Sequence, residues 1–367
     1  MRAKVSKINL LPAIMRTVSI ADRKSIVPIL SNVLLEFNES GLCLKATDLD
    51  HSIIEKIPAE VDTFGSVAVP ASTLNDIVRK ASLDAVFEFS LMDKGNKLQI
   101  ISGRSKFELS TLDPKDFPEI EEIKNGFSVK LKSADLNKLI SRTKFSMSPE
   151  ENRHNLNGIY IHKEDAKLKA ASTDGHRLST TQISIDIKEN IQGVIISKKT
   201  VFEIKKLLDT FADEVSIAFS ANQIQFVFGE VTFISKLVDG TFPEYKRVIP
   251  DTNTEFFKVK RAEFCEILDR IAIMSEDKVR SVKLELSKDT LVCYAVNSRV
   301  GSGKDEIDVT YSGEGWSSGF NANYLLDVAQ TLEGEYLKVF IKESLSPILI
   351  VDEAEPESMF VVMPMRI

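Results

Sequence analysis

The chain repeats one short pattern three times, and this repeat restricts its possible folds more than any other feature. Each copy is an apolar, strand-like run that enters an acidic or amide turn, in Leu44–His51, Leu168–Ile183 and Val292–Asn297. The copies lie roughly 125 residues apart. In the second copy, Asp174-Gly175 between two strand-like runs indicates a hairpin turn, because Gly reaches positive φ without steric cost. The repeat predicts three similar units.

Each unit shows the same order of predicted elements, a helix with strands and then a strand, a second helix and further strands. Six segments place apolar residues at helical spacing: Lys7–Ser19, Ala71–Ala81, Ser133–Phe145, Lys199–Asp209, Arg261–Met274 and Ala322–Leu332. A Phe-Pro-Glu motif closes the first two units, at Phe117–Glu119 and Phe242–Glu244. Because the helix-plus-strands pattern occurs twice in each unit, every unit is predicted to be internally doubled.

These patterns predict an α+β fold of three similar domains, with boundaries at 1–123, 124–250 and 251–367. Each domain is expected to be an internally doubled helix-plus-antiparallel-sheet unit. A half-unit with one helix and a few strands cannot bury its apolar face alone. We therefore expect the sheets to join edge to edge, with the helices on one side. Repeated arcs of this kind tend to close into rings, since closure leaves no sheet edge exposed.

Composition indicates an ordinary soluble globular protein of two to three domains. The 367 residues are 43% hydrophobic and 28% charged, with a formal net charge of −7. No apolar run approaches about 18 residues, and Pro12 interrupts the apolar segment near the N terminus. Cys43, Cys265 and Cys293 are widely spaced, which predicts reduced thiols and no zinc finger. We expect a cytoplasmic protein without a cofactor.

Cations are concentrated on the predicted helices of this acidic chain. They are Lys7, Arg16, Arg79, Lys80, Lys138, Arg142, Lys144, Lys198, Lys199, Lys205, Lys206, Arg261 and Arg270. Dispersed Lys and Arg residues attract phosphates without reading the base sequence. Any one of these cations also fits an ordinary solvated helix face. Their common location favours a sequence-independent DNA surface.

Two other functions fit parts of the sequence. Asp48, Asp50 and His51, together with Asp174 and His176, offer ligands for Zn²⁺ or Mn²⁺ in a metal-dependent hydrolase. These clusters recur once per repeat and the third copy has lost both Asp and His, which suits a shared turn better than one active site. A β-rich scaffold that binds peptides without DNA is the other alternative.

Five motifs occur in order along the whole chain. They are Val27–Asn32, Thr173–Leu178, Phe242–Pro250, Gly319–Asn321 with Tyr324, and Val362–Arg366. With these motifs the chain resembles the bacterial sliding-clamp family, the beta subunits of the replicative DNA polymerase. The resemblance implies three processivity-fold domains that form half of a ring, with no catalytic activity. The ring would be a head-to-tail homodimer that encircles duplex DNA and is opened and loaded by a clamp loader.

The resemblance also implies a groove between the second and third domains that binds short linear motifs. The replicative polymerase alpha subunit, the clamp loader, other polymerases and repair proteins would bind there. The groove residues are Leu156, Thr173, Gly175, His176, Arg177, Leu178, Pro243, Arg247, Val248, Val279, Asn321, Tyr324, Leu345, Met363, Pro364, Met365 and Arg366. Thioether side chains repack readily and so accept several ligands, and Arg177, Arg247 and Arg366 can meet peptide carboxylates or carbonyls. Leu178 and Val248 also fit a simple core role.

Two further surfaces follow from the resemblance. Loops that contact DNA would contain Arg23, Lys24, Arg153, His154 and Asn155, in addition to the helix cations. In the ring interface, Phe107 would pack against Ile273 and Met274 of the other subunit. Arg104 and Lys106 would meet acidic groups such as Asp305 and Glu306. An alternative for Phe107 is a place in the core of its own domain.

Overall fold

The computed structural model describes residues 1–92, 96–124, 127–186, 191, 193–275 and 280–366. The helices in this part of the chain are α1 Lys7–Ile20, α2 Ala71–Lys80, α3 Ser133–Thr143, α4 Lys198–Leu208, α5 Arg261–Ala272 and α6 Ala322–Thr331. Each begins at the predicted residue or one residue before it. The apolar spacing is the reason, since α1 buries Leu10, Ala13, Ile14 and Thr17 on one face. No described helix is both long and apolar enough to cross a membrane.

The strands in the first half of the described chain are β1 Arg2–Ser6, β2 Asn32–Asn38, β3 Gly41–Thr47, β4 His51–Ile57, β5 Glu60–Thr63, β6 Gly65–Pro70, β7 Val86–Met92, β8 Lys97–Ser102, β9 Ser105–Ser110, β10 Phe127–Lys132, β11 Gly158–Glu164, β12 Lys167–Thr173 and β13 Arg177–Ser184. Those in the second half are β14 Val194–Ser197, β15 Glu214–Phe219, β16 Gln223–Phe228, β17 Val231–Lys236, β18 Glu255–Lys260, β19 Ser281–Ser287, β20 Thr290–Asn297, β21 Gly301–Asp308, β22 Trp316–Asn321, β23 Tyr336–Ile341, β24 Ile348–Asp352 and β25 Glu355–Val362.

These strands form four antiparallel sheets. Their orders are β5-β1-β7-β8-β9, β10-β15-β16-β17-β4-β3-β2-β6, β14-β11-β12-β13-β25-β24-β23-β18 and β21-β20-β19-β22. Each eight-stranded sheet joins two four-stranded halves from neighbouring repeats. The junctions are β17 with β4, where Val231 pairs with Glu55, and β25 with β13, where Val361 pairs with Leu178. Edge-to-edge joining of the sheets is therefore confirmed within the described chain.

The chain divides into two compact units. The first contains 1–133 and 210–237, and the second contains 134–209 and 238–367. Within the first unit, α1 packs on α2 and against β3 and β4. Within the second unit, α5 packs on α6 and against β20 and β21. The division into three domains at 1–123, 124–250 and 251–367 stays a prediction.

Three strands that the helical and hairpin patterns did not predict come directly before helices. They are β1, β10 and β18, which precede α1, α3 and α5. β1 and β10 alternate apolar and polar residues, and β18 does so from Phe257 onward. In β1 the side chains of Ala3 and Val5 are fully buried between exposed cations. Period-two alternation is the signal of a half-buried strand, so these strands were present in the sequence pattern.

The three cysteines are unpaired thiols, as expected from their spacing. Cys43 and Cys293 are buried and Cys265 is half-buried. Burial raises the pKa of Cys43 to about 11 and that of Cys293 to about 12. These thiols are therefore neutral packing groups of the core.

Candidate functional site

The turn between β12 and β13 is built by the side chains of Thr173 and Asp174. The Thr173 hydroxyl donates to Arg177 O at 2.6 Å and accepts the Gly175 N–H at 3.0 Å. Asp174 Oδ1 accepts the N–H groups of His176 at 2.9 Å and of Arg177 at 3.0 Å. Gly175 has φ +93°, a left-handed conformation that Gly adopts at little cost. The predicted hairpin is confirmed, and its Asp is a backbone cap.

The first repeat builds the same turn from Thr47 and Asp48. The Thr47 hydroxyl bonds to His51 O at 2.9 Å and to the Leu49 N–H at 3.0 Å. Asp48 Oδ1 accepts the N–H of Asp50 at 2.9 Å. Leu49 occupies the Gly175 position with φ +77°, which is uncommon for a residue with a Cβ. The side-chain cap thus maintains the turn even without glycine.

These bonds explain why Asp recurs at the second position of the turn. In the first copy, Asp48 Oδ2 lies 3.0 Å from His51 Nδ1. In the second copy, Asp174 Oδ2 accepts a hydrogen bond from the Arg177 side chain. Among the described residues, no group of three His, Cys, Asp or Glu side chains is placed to hold a metal ion. Asp48 and Asp174 serve the shared turn by accepting its backbone N–H groups.

The C-terminal segment runs beside this turn. Val362 pairs with Arg177 at the end of β25, and the Met363 N–H then donates to His176 O at 2.9 Å. The Met365 N–H donates to Gly319 O at 2.7 Å in β22. These bonds bring the second, fourth and fifth sequence motifs together. The Thr173–Leu178 turn, the Gly319–Asn321 strand end and the Val362–Arg366 terminus are neighbours.

The third motif packs under the same region through its aromatic residues. Phe242 and Tyr245 are buried in one cluster with Leu156, Leu178 and Val361. The rings of Phe242 and Tyr160 stack with centroids 4.9 Å apart. This cluster fixes the short helical turn Tyr245–Val248, whose outer residues face solvent. Burial raises the pKa of Tyr245 to about 12, so its hydroxyl stays neutral.

The predicted groove residues fall into three groups by exposure. Leu156 and Leu178 are buried, at 6% and 2% exposure, which confirms the core alternative for Leu178. Half-buried are Thr173, Arg177, Asn321, Tyr324, Pro364 and Met365. Exposed are Gly175, His176, Pro243, Arg247, Val248, Leu345, Met363 and Arg366. The core alternative for Val248 is wrong, since 51% of it is exposed; Val279 lies outside the described residues.

Several predicted DNA-binding side chains are bound within the protein. Arg142 donates to Glu355, Glu333 and Thr331 O, with 11% of its side chain exposed. Lys138 pairs with Glu357 and Lys205 with Asp209. Arg153 donates to Asp174 O at 2.9 Å, and Asn155 Nδ2 donates to Thr241 O at 3.1 Å. These side chains have structural roles that the sequence pattern did not reveal.

Two of the helix cations in the first unit are also engaged. Lys7 is 5% exposed, and its Nζ donates to Arg79 O at 3.0 Å and Ala81 O at 2.5 Å. Arg16 Nε donates to Glu55 at 2.8 Å. The expectation that both face DNA is corrected, because a buried or paired cation has little charge left for phosphates. The exposed candidates are Arg23, Lys24, Arg79, Lys80, His154, Lys199, Lys206 and Arg270, with Lys198 half-buried.

The predicted interface residues lie on the edge strands β9 and β21, just before β9, or just after α5. Phe107 on β9 is 37% exposed and lines a cavity of about 520 Å³ beside α2, together with Ile77 and Phe87. Ile273, just after α5, is 79% exposed, and Met274 packs partly against the core. Asp305 pairs with Arg270 at 2.9 Å, which lowers the pKa of Asp305. That pairing leaves Glu306 as the freer of the two predicted acidic partners.

Comparison with known proteins matches the chain over its whole length. Family models of the DNA polymerase III beta subunit match at residues 1–121 for the N-terminal domain, 130–244 for the central domain and 246–366 for the C-terminal domain. The beta sliding clamps of Caulobacter vibrioides and Pseudomonas putida are each 35% identical, with 100% of both chains covered.

Solved structures show the same relation. A Caulobacter crescentus beta sliding clamp, with PEG bound to its putative beta-motif tethering region, is 36% identical with a TM-score of 0.95, covering 100% of this chain and 99% of that one. A Pseudomonas aeruginosa sliding clamp bound to griselimycin is 33% identical with a TM-score of 0.96, covering 100% of both chains. The chain therefore belongs to the DNA polymerase III beta subunit family, the non-catalytic sliding clamps of DNA replication.

Proposed function

We propose that two copies of this chain form a head-to-tail ring that encircles duplex DNA. The ring would tether the replicative polymerase and other clients for processive synthesis in the cytoplasm. Family membership supports this function, and the sheet junctions support it independently. No base-specific readout is involved, because a sliding protein needs phosphate attraction only.

The observation that carries the proposal is a rule of sheet joining. The last strand of one repeat pairs with the fourth strand of the preceding repeat, as β17 does with β4 and β25 with β13. By position, the next members of this series are β9 and β21. Within the described chain, both lie at the edges of their sheets. Applied to a second copy, the rule pairs β9 of one chain with β21 of the other at two equivalent places.

Side chains beside these edges fit the same pairing. The cavity next to Phe107 is lined by apolar Ile77 and Phe87 as well as polar groups. Ile273 is an exposed apolar side chain of the size that such a cavity accepts. Lys106 is exposed on β9, and Glu306 is exposed on β21. Opposite charges on facing strands favour the correct partner edge.

The mass of the protein in solution tests the ring. We expect a dimer, and we expect Ile273→Asp to give a folded monomer, because a carboxylate loses the apolar contacts with Ile77, Phe87 and Phe107 and is costly to desolvate beside them. Ile8→Asp is the matched control, since Ile8 on α1 is 77% exposed and lies outside both edges. Sedimentation equilibrium measures both variants. A monomeric wild type, or a dimeric Ile273→Asp variant, would overturn the proposed interface.

For DNA, the proposal depends on the exposed cations and not on Lys7 or Arg142. Arg23 and Lys24 lie in an exposed loop between α1 and β2, and Lys199 is exposed on α4. A ring held by enclosure should stay on closed circular DNA at high salt, yet leave linear DNA as soon as phosphate attraction is screened. Loading on nicked circles, followed by salt washes before and after linearisation, measures this difference. If salt releases the protein equally from circular and linear DNA, topological linkage is contradicted. A chain that binds peptides but does not retain DNA would correspond to the scaffold alternative.

We also propose that clients bind the surface formed by the turn, the Tyr245–Val248 segment and the C-terminal residues. Val248, Leu345 and Met363 expose 51%, 64% and 39% of their surface in this unit. Ser318 donates to Ser344 O, which holds the Leu345 segment near β22 and hence near Met365. Exposed apolar side chains collected from separate segments are typical of ligand-binding surfaces. Griselimycin, with which the Pseudomonas aeruginosa clamp was crystallised, is our probe.

Removal of residues 363–367 tests this assignment. The truncation spares β25, which ends at Val362, but it removes Met363, Pro364, Met365 and Arg366. Calorimetric titration with griselimycin should show binding to the full chain and none, or far weaker binding, to the truncated chain. Undiminished affinity in a folded truncated chain refutes the assignment. The far-ultraviolet circular dichroism spectrum serves as the folding control.

A further inference from the structure

Arg177 is surrounded by partners from its own chain. Its Nε donates to Asp174 Oδ2 at 3.0 Å, and its two terminal nitrogens donate to Asp327 Oδ2 and Phe145 O. The guanidinium carbon lies 4.3 Å from the centroid of the Tyr324 ring and 5.5 Å from that of Phe145. Only 11% of the side chain is exposed. Every nitrogen of the guanidinium therefore has an acceptor within the protein.

This arrangement removes Arg177 from the residues available to a ligand carboxylate. A ligand carboxylate would have to displace one of the ion pairs or the hydrogen bond that hold Arg177. Breaking a buried ion pair is costly, because it leaves a buried charge without a partner. Arg247, with 81% of its side chain exposed, and the exposed Arg366 remain for that task. Arg247 pairs with the exposed Glu244, and exposed pairs of this kind exchange easily.

Asp327 and Tyr324 lie on the same face of α6, since they are three residues apart in a helix. The Asp327 carboxylate binds the guanidinium, whose central carbon lies over the Tyr324 ring. A planar, bidentate Arg holds such a geometry better than a flexible Lys. The same guanidinium carbon also lies over the Phe145 ring. Tyr324 itself is half-buried, so part of its surface stays open.

We propose that Asp327 is a positioning residue of the client groove. It holds Arg177 in place, and Arg177 in turn fixes the orientation of the Tyr324 ring against which a client side chain packs. This inference rests on the proposed client binding at this surface. Asp327 touches no ligand in this scheme, and its effect reaches the ligand only through the ring.

The test compares Asp327→Asn with a matched loss of charge at Asp165. Asp165 is exposed in the turn between β11 and β12, at the far end of β12 from the groove, and its φ of +52° suits Asn. With griselimycin as the probe, Asp327→Asn should weaken binding about tenfold, mainly through faster dissociation. Asp165→Asn should bind like the wild type, and Asp327→Glu should recover most of the affinity because it restores the carboxylate.

A spectroscopic measurement separates positioning from general destabilisation. The chain has six tyrosines, so labelling with 3-fluorotyrosine gives six fluorine resonances, and Tyr324→Phe identifies the one from position 324. Asp327→Asn should shift or broaden that resonance and leave the others unchanged. Asp165→Asn should leave the resonances of tyrosines near the groove, including that of Tyr324, unchanged.

The outcomes distinguish this inference from the proposed client site. If the wild type does not bind griselimycin, the proposed site is wrong. If the wild type binds and Asp327→Asn binds equally well, the positioning role is wrong. The positioning role is also wrong if Asp327→Asn shifts the Tyr324 resonance and leaves the affinity unchanged. It is wrong, too, if Asp327→Glu melts at the wild-type temperature but does not recover the lost affinity.

Discussion

Asp174 binds Arg177 twice, since Oδ1 accepts the Arg177 backbone N–H and Oδ2 accepts its side-chain Nε, both at 3.0 Å. One carboxylate therefore closes the hairpin turn and anchors the arginine that lies over Tyr324. The first repeat keeps the same backbone cap at Asp48, but there the side-chain partner is His51. The backbone cap of the turn is therefore the same in the first and second repeats, whereas the side-chain partner of the Asp differs.

We expect Asp174→Ala to be strongly destabilising. The substitution leaves two backbone N–H groups without their acceptor and removes one partner of a mostly buried arginine, which together cost about 2–4 kcal/mol of the free energy of unfolding. Asp50→Ala is the comparison, because Asp50 only pairs with Lys236 at 3.0 Å on the surface. That exposed pair is worth about 0.5 kcal/mol or less. Urea titrations followed by circular dichroism measure both, and equal effects would contradict the capping role.

Leu178 and Val248 should separate stability from binding. Leu178 is 2% exposed in the cluster with Phe242, so Leu178→Ala should lower the free energy of unfolding by about 2–5 kcal/mol. Val248 is 51% exposed, so Val248→Ala should change it by no more than about 0.5 kcal/mol. Griselimycin titration of Val248→Ala should nevertheless show weaker binding. A destabilised Val248→Ala variant with normal binding would contradict this separation.

Lys7 should act on stability alone. Its buried ammonium bonds to Arg79 O and Ala81 O at the C-terminal end of α2, where a positive charge is favourable. Lys7→Met should cost about 1–3 kcal/mol, because two carbonyls lose their donor. Retention on circular DNA should not change.

A double substitution of Arg23 and Lys24 provides the contrast to Lys7. Both residues are exposed, so Arg23→Ala with Lys24→Ala should leave the melting temperature unchanged. It should lower the salt concentration at which linear DNA is released, since fewer phosphates are neutralised. Loss of DNA retention in Lys7→Met with normal stability would reverse our assignment of these cations.

His162 should make the second unit sensitive to mild acid. Burial and the nearby Lys246 lower the pKa of His162, while Glu164 opposes this shift. The folded state therefore binds fewer protons than the unfolded state, and stability falls as the pH drops through about 6.5 toward the lower folded value. The His162 imidazole also forms a hydrogen bond with Tyr245 OH through Nε2, at 2.9 Å, and stacks on the Tyr160 ring.

Melting temperatures between about pH 7.5 and about pH 5.5 test this effect. The decrease should be smaller in His162→Gln than in the wild type. His154→Gln is the control, because His154 is exposed and should keep the wild-type pH dependence. An identical decrease in His162→Gln would exclude His162 as the cause.

Local patterns were sufficient for the helices, for the turns and for most of the strands. The six helices follow from apolar spacing alone, and the Asp174-Gly175 hairpin follows from turn chemistry. The strands β1, β10 and β18 were missed although their period-two alternation is in the sequence, because each is short and runs directly into a helix. The motifs that carry the family resemblance also lie within short segments, so the sequence identified the family.

Partner choice across long separations was decided only by the tertiary structure. Arg142 and Glu355 are 213 residues apart, and nothing near either residue indicates that they pair. The sequence predicted that Lys7 and Arg142 contact DNA and that Arg177 contacts a client peptide. The fold instead gives each of them partners within the chain. The physical reason is that periodicity reports which face a side chain occupies, while the groups opposite that face come from distant segments that only packing brings together.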